Sequence, residues 1–172
     1  MDPQQAKFLI DQLTGLWEGE FPATCAVLAA VPDGRRDYKP DPKSRTAWEL
    51  AAHIATGDMW FLDSILAGSF VWDGEAAKAA AARFANIADV VAYYKQAFPD
   101  KVKQVRAMPV ANAMKTVDFF GMMQQPNASY LGFANNHSVH HRGQLAAYLR
   151  AMGSKVPAIY GASADVPMGT AS

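Results

Sequence analysis

Residues 126–153 read PNASYLGFANNHSVHHRGQLAAYLRAMG. Pro126 and Asn127 can open a helix, and Gly153 can close one, because glycine accepts the left-handed backbone that ends helices at no steric cost. At about 100° per residue, Tyr130, Phe133, Ala134, His137, His141, Gln144, Leu145, Tyr148 and Met152 fall on one stripe. That stripe is apolar apart from His137, His141 and Gln144, so it is the face that packs into a core. His140 turns about 60° from His137 and about 100° from His141, toward the edge or solvent. Arg142 and Gly143 also leave the stripe: the arginine is expected to bind the tail or another helix, and the glycine to permit close packing.

The same periodicity recurs upstream. Asp2-Pro3 is a helix-opening pair, and Phe8, Leu9, Leu13, Leu16, Trp17, Phe21 and Leu28 carry a first helix to about Ala30. VPDGRRDYKPDPKS interrupts it. Ser44 can cap a second helix that ends at Gly68, EAAKAAAARFA adds a short one, and Asn86 caps a third long one. Pro99 should kink or split that third helix. Residues 109–126 read as irregular, with the apolar patch Val117, Phe119, Phe120, Met122 and Met123 able to cover a pocket mouth or form a partner surface, or more simply to bury against the bundle, and residues 153–172 as a coil tail. Four long helices without a convincing strand predict one all-α domain over residues 1–172, a four-helix bundle. The long connections between its first two and last two helices favour crossovers over the simplest up-down-up-down order.

Composition narrows the function. The chain has 172 residues, 51% of them hydrophobic, and a formal net charge of zero with sixteen scattered Lys and Arg. Neither nucleic acid nor an anionic membrane is expected as a partner. The single cysteine, Cys25, fits a reducing compartment and reads as a buried, inert thiol. The N-terminus lacks the charge and apolar run of a signal peptide, and no run approaches the roughly 20 apolar residues of a membrane span. A cytoplasmic protein is expected.

The chemistry sits with the histidines. Two imidazoles at i, i+4 offer two nitrogens on one side of a helix, as in H-E-x-x-H zinc proteases, but Ser138 stands where that motif needs its glutamate. His53, in the middle of the second helix, shares a face with Thr46, Glu49, Leu50, Gly57 and Trp60. Packing the two helices together would bring three neutral imidazoles round one point, a donor set for zinc, nickel, copper or iron with positions left for substrate. A single buried histidine is usually just a hydrogen-bonded core residue. A pair on an apolar stripe costs about 1 to 3 kcal/mol per unsatisfied group unless something binds it. Because protons compete for the same lone pairs, affinity is expected to fall below about pH 6.5, with up to three protons taken up per metal released. Glu49 could orient an imidazole or act as a catalytic base, or could simply favour the helix start. Gly57 leaves space beside the metal. Gln144 could hold a ligand histidine, and Trp60, Tyr130 and Tyr148 could line a pocket.

HSVHHRGQLAAYLRAMG followed by VPAIYGASAD resembles the DinB-like family of bacterial bundle proteins, through the H-x-x-x-H-R-G-Q run at His137, His141, Arg142, Gly143 and Gln144. ELAAHIATGDMWFLDSILAG resembles that family's second helix and places His53 as third ligand. The resemblance implies an up-down-down-up four-helix bundle, a divalent metal (nickel or zinc) on His53, His137 and His141, and a homodimer. It implies a metal-dependent enzyme acting on a small-molecule substrate, a transferase or a hydrolase, with transfer of a low-molecular-weight thiol as the concrete class. The other readings are a non-catalytic bundle that binds a metal or small ligand for stress response or storage, and a dimerisation module whose histidines are merely packed.

Overall fold

The structure, a computed structural model, describes residues 1–167; the last five residues of the expected coil tail lie outside them. Four long helices make the bundle: α1 (Pro3–Ala29), α2 (Ala47–Ala67), α4 (Ile87–Arg106) and α6 (Tyr130–Leu149), with short α3 (Gly74–Ala82) and α5 (Val110–Met114) in the connections. Asp2 accepts from the amide of Gln5, whose side chain answers the Asp2 amide, so α1 starts in a reciprocal cap. A 3-10 turn, Arg150–Met152, prolongs α6 to Gly153, whose φ of 79° ends it.

Helix α1 packs on α4 and α6, and α2 packs on the same two, so α1 and α2 lie across a diagonal. Contacts set the directions. Arg106 reaches Thr14 while Phe98 meets Trp17 and Tyr94 meets Phe21, so α1 and α4 are antiparallel. Leu13 lies against Gly132 and Glu20 against Arg142, so α1 and α6 are parallel. Asp58 meets Tyr94 and Asp63 meets Lys101, which makes α2 and α4 parallel. Phe61 meets Phe133 while His53 meets His141, which makes α2 and α6 antiparallel. The order is up-down-down-up, and both diagonal steps need long connections. The core between them includes Ile10, Leu28, Ile54, Leu62, Val90 and Leu131, all fully buried. Each contributes about 1.5–3 kcal/mol, which lets residues of middling helix propensity hold the helical state.

Three sequence readings need correction. Thr46, not Ser44, caps α2: its hydroxyl accepts from the Glu49 amide and Glu49 answers, whereas the Ser44 hydroxyl is held by Asp41. Pro99 does not split α4, which runs unbroken to Arg106; the fully buried neighbours Phe98 and Val102 hold the helix through the lost backbone bond. Residues 109–126 are ordered into α5 and an antiparallel hairpin of β1 (Thr116–Phe119) and β2 (Met123–Pro126). The hairpin turns at Phe120 and Gly121, both with positive φ, and buries Val117 and Phe119 while Phe120 and Met122 stay exposed. A four-residue strand with one buried face alternates too briefly to be separated from an apolar loop by pattern.

Candidate metal centre

His53 stands on α2 and His137 and His141 on α6, where the antiparallel crossing brings their rings together. Nε2 of His53 lies 3.3 Å from Nε2 of His137. The ring centroids are 5.0 Å (His53–His137), 4.6 Å (His53–His141) and 4.4 Å (His137–His141) apart. One ligand nitrogen from each lies within 4.8 Å of the others. Bonds of about 2.0–2.1 Å to one zinc-sized ion need nitrogens roughly 3–4 Å apart, so a small inward movement at most separates this arrangement from a closed site. Nδ1 of His141 lies 2.8 Å from Oε1 of Gln144. Nδ1 of His137 is buried without a partner, while Phe61 covers its ring at 5.1 Å.

Burial sets the protonation state. It pushes His53 down to about 3 and His137 to about 4, helped by the Arg45 charge and by the neighbouring imidazoles. His141 is lowered by the same burial, against the opposing bond from Gln144. All three are therefore neutral at pH 7, the form that donates a lone pair. Three close, neutral, part-buried imidazoles fit a borderline divalent ion such as zinc or nickel.

Gly57 lies one turn after His53. A Cβ there would meet His137 Cε1 at 3.7 Å and His53 Cε1 at 3.8 Å, in ordinary contact with both rings, so a longer side chain at this position starts against the imidazoles. A pocket of about 490 Å³ opens on the three imidazoles and is lined further by Leu50, Gln144 and Tyr148, and by Lys43, Ser44 and Arg45 of the loop before α2. His140 is exposed.

The other expected site residues are placed elsewhere. Glu49 is exposed, and its carboxylate, held below the usual range chiefly by the Thr46 amide, accepts from that amide at 2.7 Å and from the hydroxyl at 3.1 Å. It is the cap of α2 and does not line the pocket. Trp60 donates from Nε1 to the Val71 carbonyl and joins an aromatic group with Phe61, Phe70, Trp72 and Phe120. Tyr130 is fully buried, and its hydroxyl pins the hairpin by donating toward the carbonyls of Val117 and Met123. Gly143 is exposed with nothing near its Cα substituent position, so it serves no close packing. Arg142, 2% exposed, reaches both helix and tail: it pairs with Glu20 at 2.6 Å and donates to Thr24 and to the Tyr160 hydroxyl.

Sequence reasoning missed Asp58. It is fully buried, and its Oδ2 accepts from Tyr94 and from Ser138 at 2.8 Å each, tying α2 and α4 to α6 immediately beside His137. The available signal was an acid in the otherwise apolar run ATGDMWFL. Lys43 and Arg45 were missed because their segment reads only as a helix breaker.

The bundle carries a histidine cluster, shared between two antiparallel helices, of a kind that could hold a metal ion. The model of the DinB family matches residues 4–167, and the chain belongs to that family. Three solved structures share the fold. A DinB-like protein from Bacillus cereus ATCC 10987 superposes with a TM-score of 0.69 at 22% identity, covering 87% of this chain and 97% of that one. The DinB-like protein YjoA from Bacillus subtilis gives 0.65 at 20%, covering 85% and 96%. YfiT from Bacillus subtilis, reported as "a probable metal-dependent hydrolase with an unusual four-helix bundle topology", gives 0.63 at 17%, covering 90% and 91%. In sequence, the uncharacterised protein YrdA of Bacillus subtilis (strain 168) is 47% identical over 45 residues, a stretch spanning 26% of each chain. No helix among the described residues is long and apolar enough to cross a membrane.

Proposed function

We propose that the chain is a metal-dependent enzyme in which His53, His137 and His141 hold a divalent cation, nickel or zinc, and that it transfers a low-molecular-weight thiol. The observation that carries the metal is the convergence of three neutral imidazole nitrogens within 4.8 Å beside an open pocket. A bound ion of this kind is a Lewis acid that holds a thiol as thiolate or lowers the pKa of water. The chain's own residues present the ligands: burial keeps them neutral, Gln144 orients His141, and Gly57 adds no side chain beside the rings. With Glu49 committed to the helix cap, no carboxylate lines the pocket, so a proton released there passes to solvent.

Hydrolysis is the second reading, favoured by what is reported of YfiT at the level of the shared fold. The committed Glu49 favours a third, a non-catalytic site that binds a metal or small ligand. Elemental analysis of the purified protein, followed by parallel thiol-transfer and ester-hydrolysis screens on metal-loaded wild type and His137→Ala, separates the three. About one metal per chain and thiol transfer lost in the variant supports the proposal. Hydrolysis alone or binding alone selects one of the others, and a protein that takes up no nickel or zinc overturns the metal reading.

A further inference from the structure

The lining of the pocket is positively charged. It contains two cations, Lys43 and Arg45, and no carboxylate. Neither side chain makes an ion pair or hydrogen bond among the described residues, although seven ion pairs form elsewhere. Glu49, whose charge Arg45 and Lys39 stabilise, is occupied by its bonds to Thr46. Asp41 is likewise occupied, by the amides of Lys43 and Ser44 and by the Ser44 hydroxyl. Arg45 acts electrostatically on all three imidazoles, so its charge reaches the site itself. Three neutral histidines cancel none of a divalent ion's charge, and a bound ion would add to the excess. Unpaired cations around a pocket raise the local concentration of anions and favour their binding.

We infer that this pocket takes a small organic anion, whose acidic group is bound by Lys43 and Arg45 at the pocket wall while its reactive end lies at the histidines. The inference deepens the metal-dependent reading above and names its substrate class. A guanidinium fork fits the two oxygens of a carboxylate, and a lysine beside it adds a point charge. Because Ser44 separates the two residues, both belong to one loop anchored by Asp41, which presents them together. A neutral thiol or ester of the same size lacks these contacts and reacts poorly.

The test uses two probes of matched shape, succinate and its uncharged diamide, succinamide. Each is titrated into 15N-labelled full-length protein, zinc-loaded and metal-free, and followed by amide chemical shifts; zinc content is measured first. Wild type is expected to bind succinate at least ten-fold more tightly than succinamide, with shifts at residues 43–45 and at Tyr148. The double variant Lys43→Gln/Arg45→Gln is expected to bring the two within two-fold at unchanged zinc content and unchanged helical circular dichroism. No preference in wild type, or the same preference in the variant, overturns the inference. A protein that takes up no zinc overturns the metal reading instead, and the metal-free titration then decides the anion site by the same ratio.

Discussion

Gln144 holds His141 by a single bond: Nδ1 of the imidazole donates to Oε1 of the amide at 2.8 Å, within one turn of α6. Since Oε1 can only accept, the proton is fixed on Nδ1 and the Nε2 lone pair is left for a metal. Gln144→Ala frees the ring and its tautomer. Metal affinity is expected to fall about ten-fold, at the low end of the range for such partners because Gln144 is exposed. Competition against a chelator measures it; unchanged affinity would show that the bond does not orient the ring.

The neighbouring histidine should be dispensable. His140 is exposed beside His141, with ring centroids 4.9 Å apart. His140→Ala is expected to retain wild-type metal content, whereas His53→Ala, His137→Ala and His141→Ala each lose most of it. Equal loss from all four would contradict the ligand set.

At Gly57, a methyl would sit in ordinary contact with both rings, at 3.7–3.9 Å. Gly57→Ala should raise stability by about 0.5–1 kcal/mol, the usual difference in a helix interior, and leave metal content intact. Gly57→Leu is expected to abolish metal binding while circular dichroism still reports a helical protein. Normal metal uptake by the leucine variant would place the ion elsewhere.

Acid should weaken metal binding later than unperturbed imidazoles would allow. A protonated ring has no lone pair to give, so affinity falls with pH. With His53 near 3 and His137 near 4, only His141, less deeply lowered, competes for protons in mildly acidic solution. Affinity is expected to stay nearly level from pH 8 through the ordinary histidine range at 6.5 and, below it, to fall with a slope of at most one proton per metal until pH approaches 4. This corrects the three-proton loss below about 6.5 that isolated side chains imply. A three-proton slope beginning there would restore it.

Asp58 should leave a pH signature in stability. Burial raises its carboxyl from 3.8 to about 7, against the bonds from Tyr94 and Ser138. A raised folded-state pKa contributes stability that is fully present below 3.8 and lost as pH rises through about 7. Asp58→Asn cannot titrate. The melting temperature of wild type minus that of Asp58→Asn is therefore expected to decrease from pH 5 to pH 8, and a constant difference would refute a buried, titrating Asp58.

The helical framework is legible along the chain because helix formation is largely local. The 3.6-residue stripe on α6, the Asp2-Pro3 start and the glycines at 68 and 153 each report a backbone state that neighbours within one turn decide. The same stripe put His137 and His141 on one side, and the mid-helix position of His53 made it their natural third member. The cap of α2 was misplaced by two residues because Ser44 and Thr46 are both competent, and the reciprocal bond from Glu49 selects the second.

What lay beyond local reading is what depends on how helices cross. Trp60 and Gly57 share a helix face, yet the antiparallel packing of α2 on α6 puts Gly57 against the imidazoles and Trp60 among the hairpin's aromatics. Arg142 was placed off the stripe by angle, but its simultaneous hold on Glu20 and Tyr160 requires α1 and the tail to converge. Asp58 takes its meaning from Tyr94 and Ser138, 36 and 80 residues away in sequence, which only the tertiary structure brings to it. Periodicity along one helix fixes an angle about that helix's own axis. It carries no information on the distance to a second axis, and the ring separations, the pocket and the shifted acidities all follow from that distance.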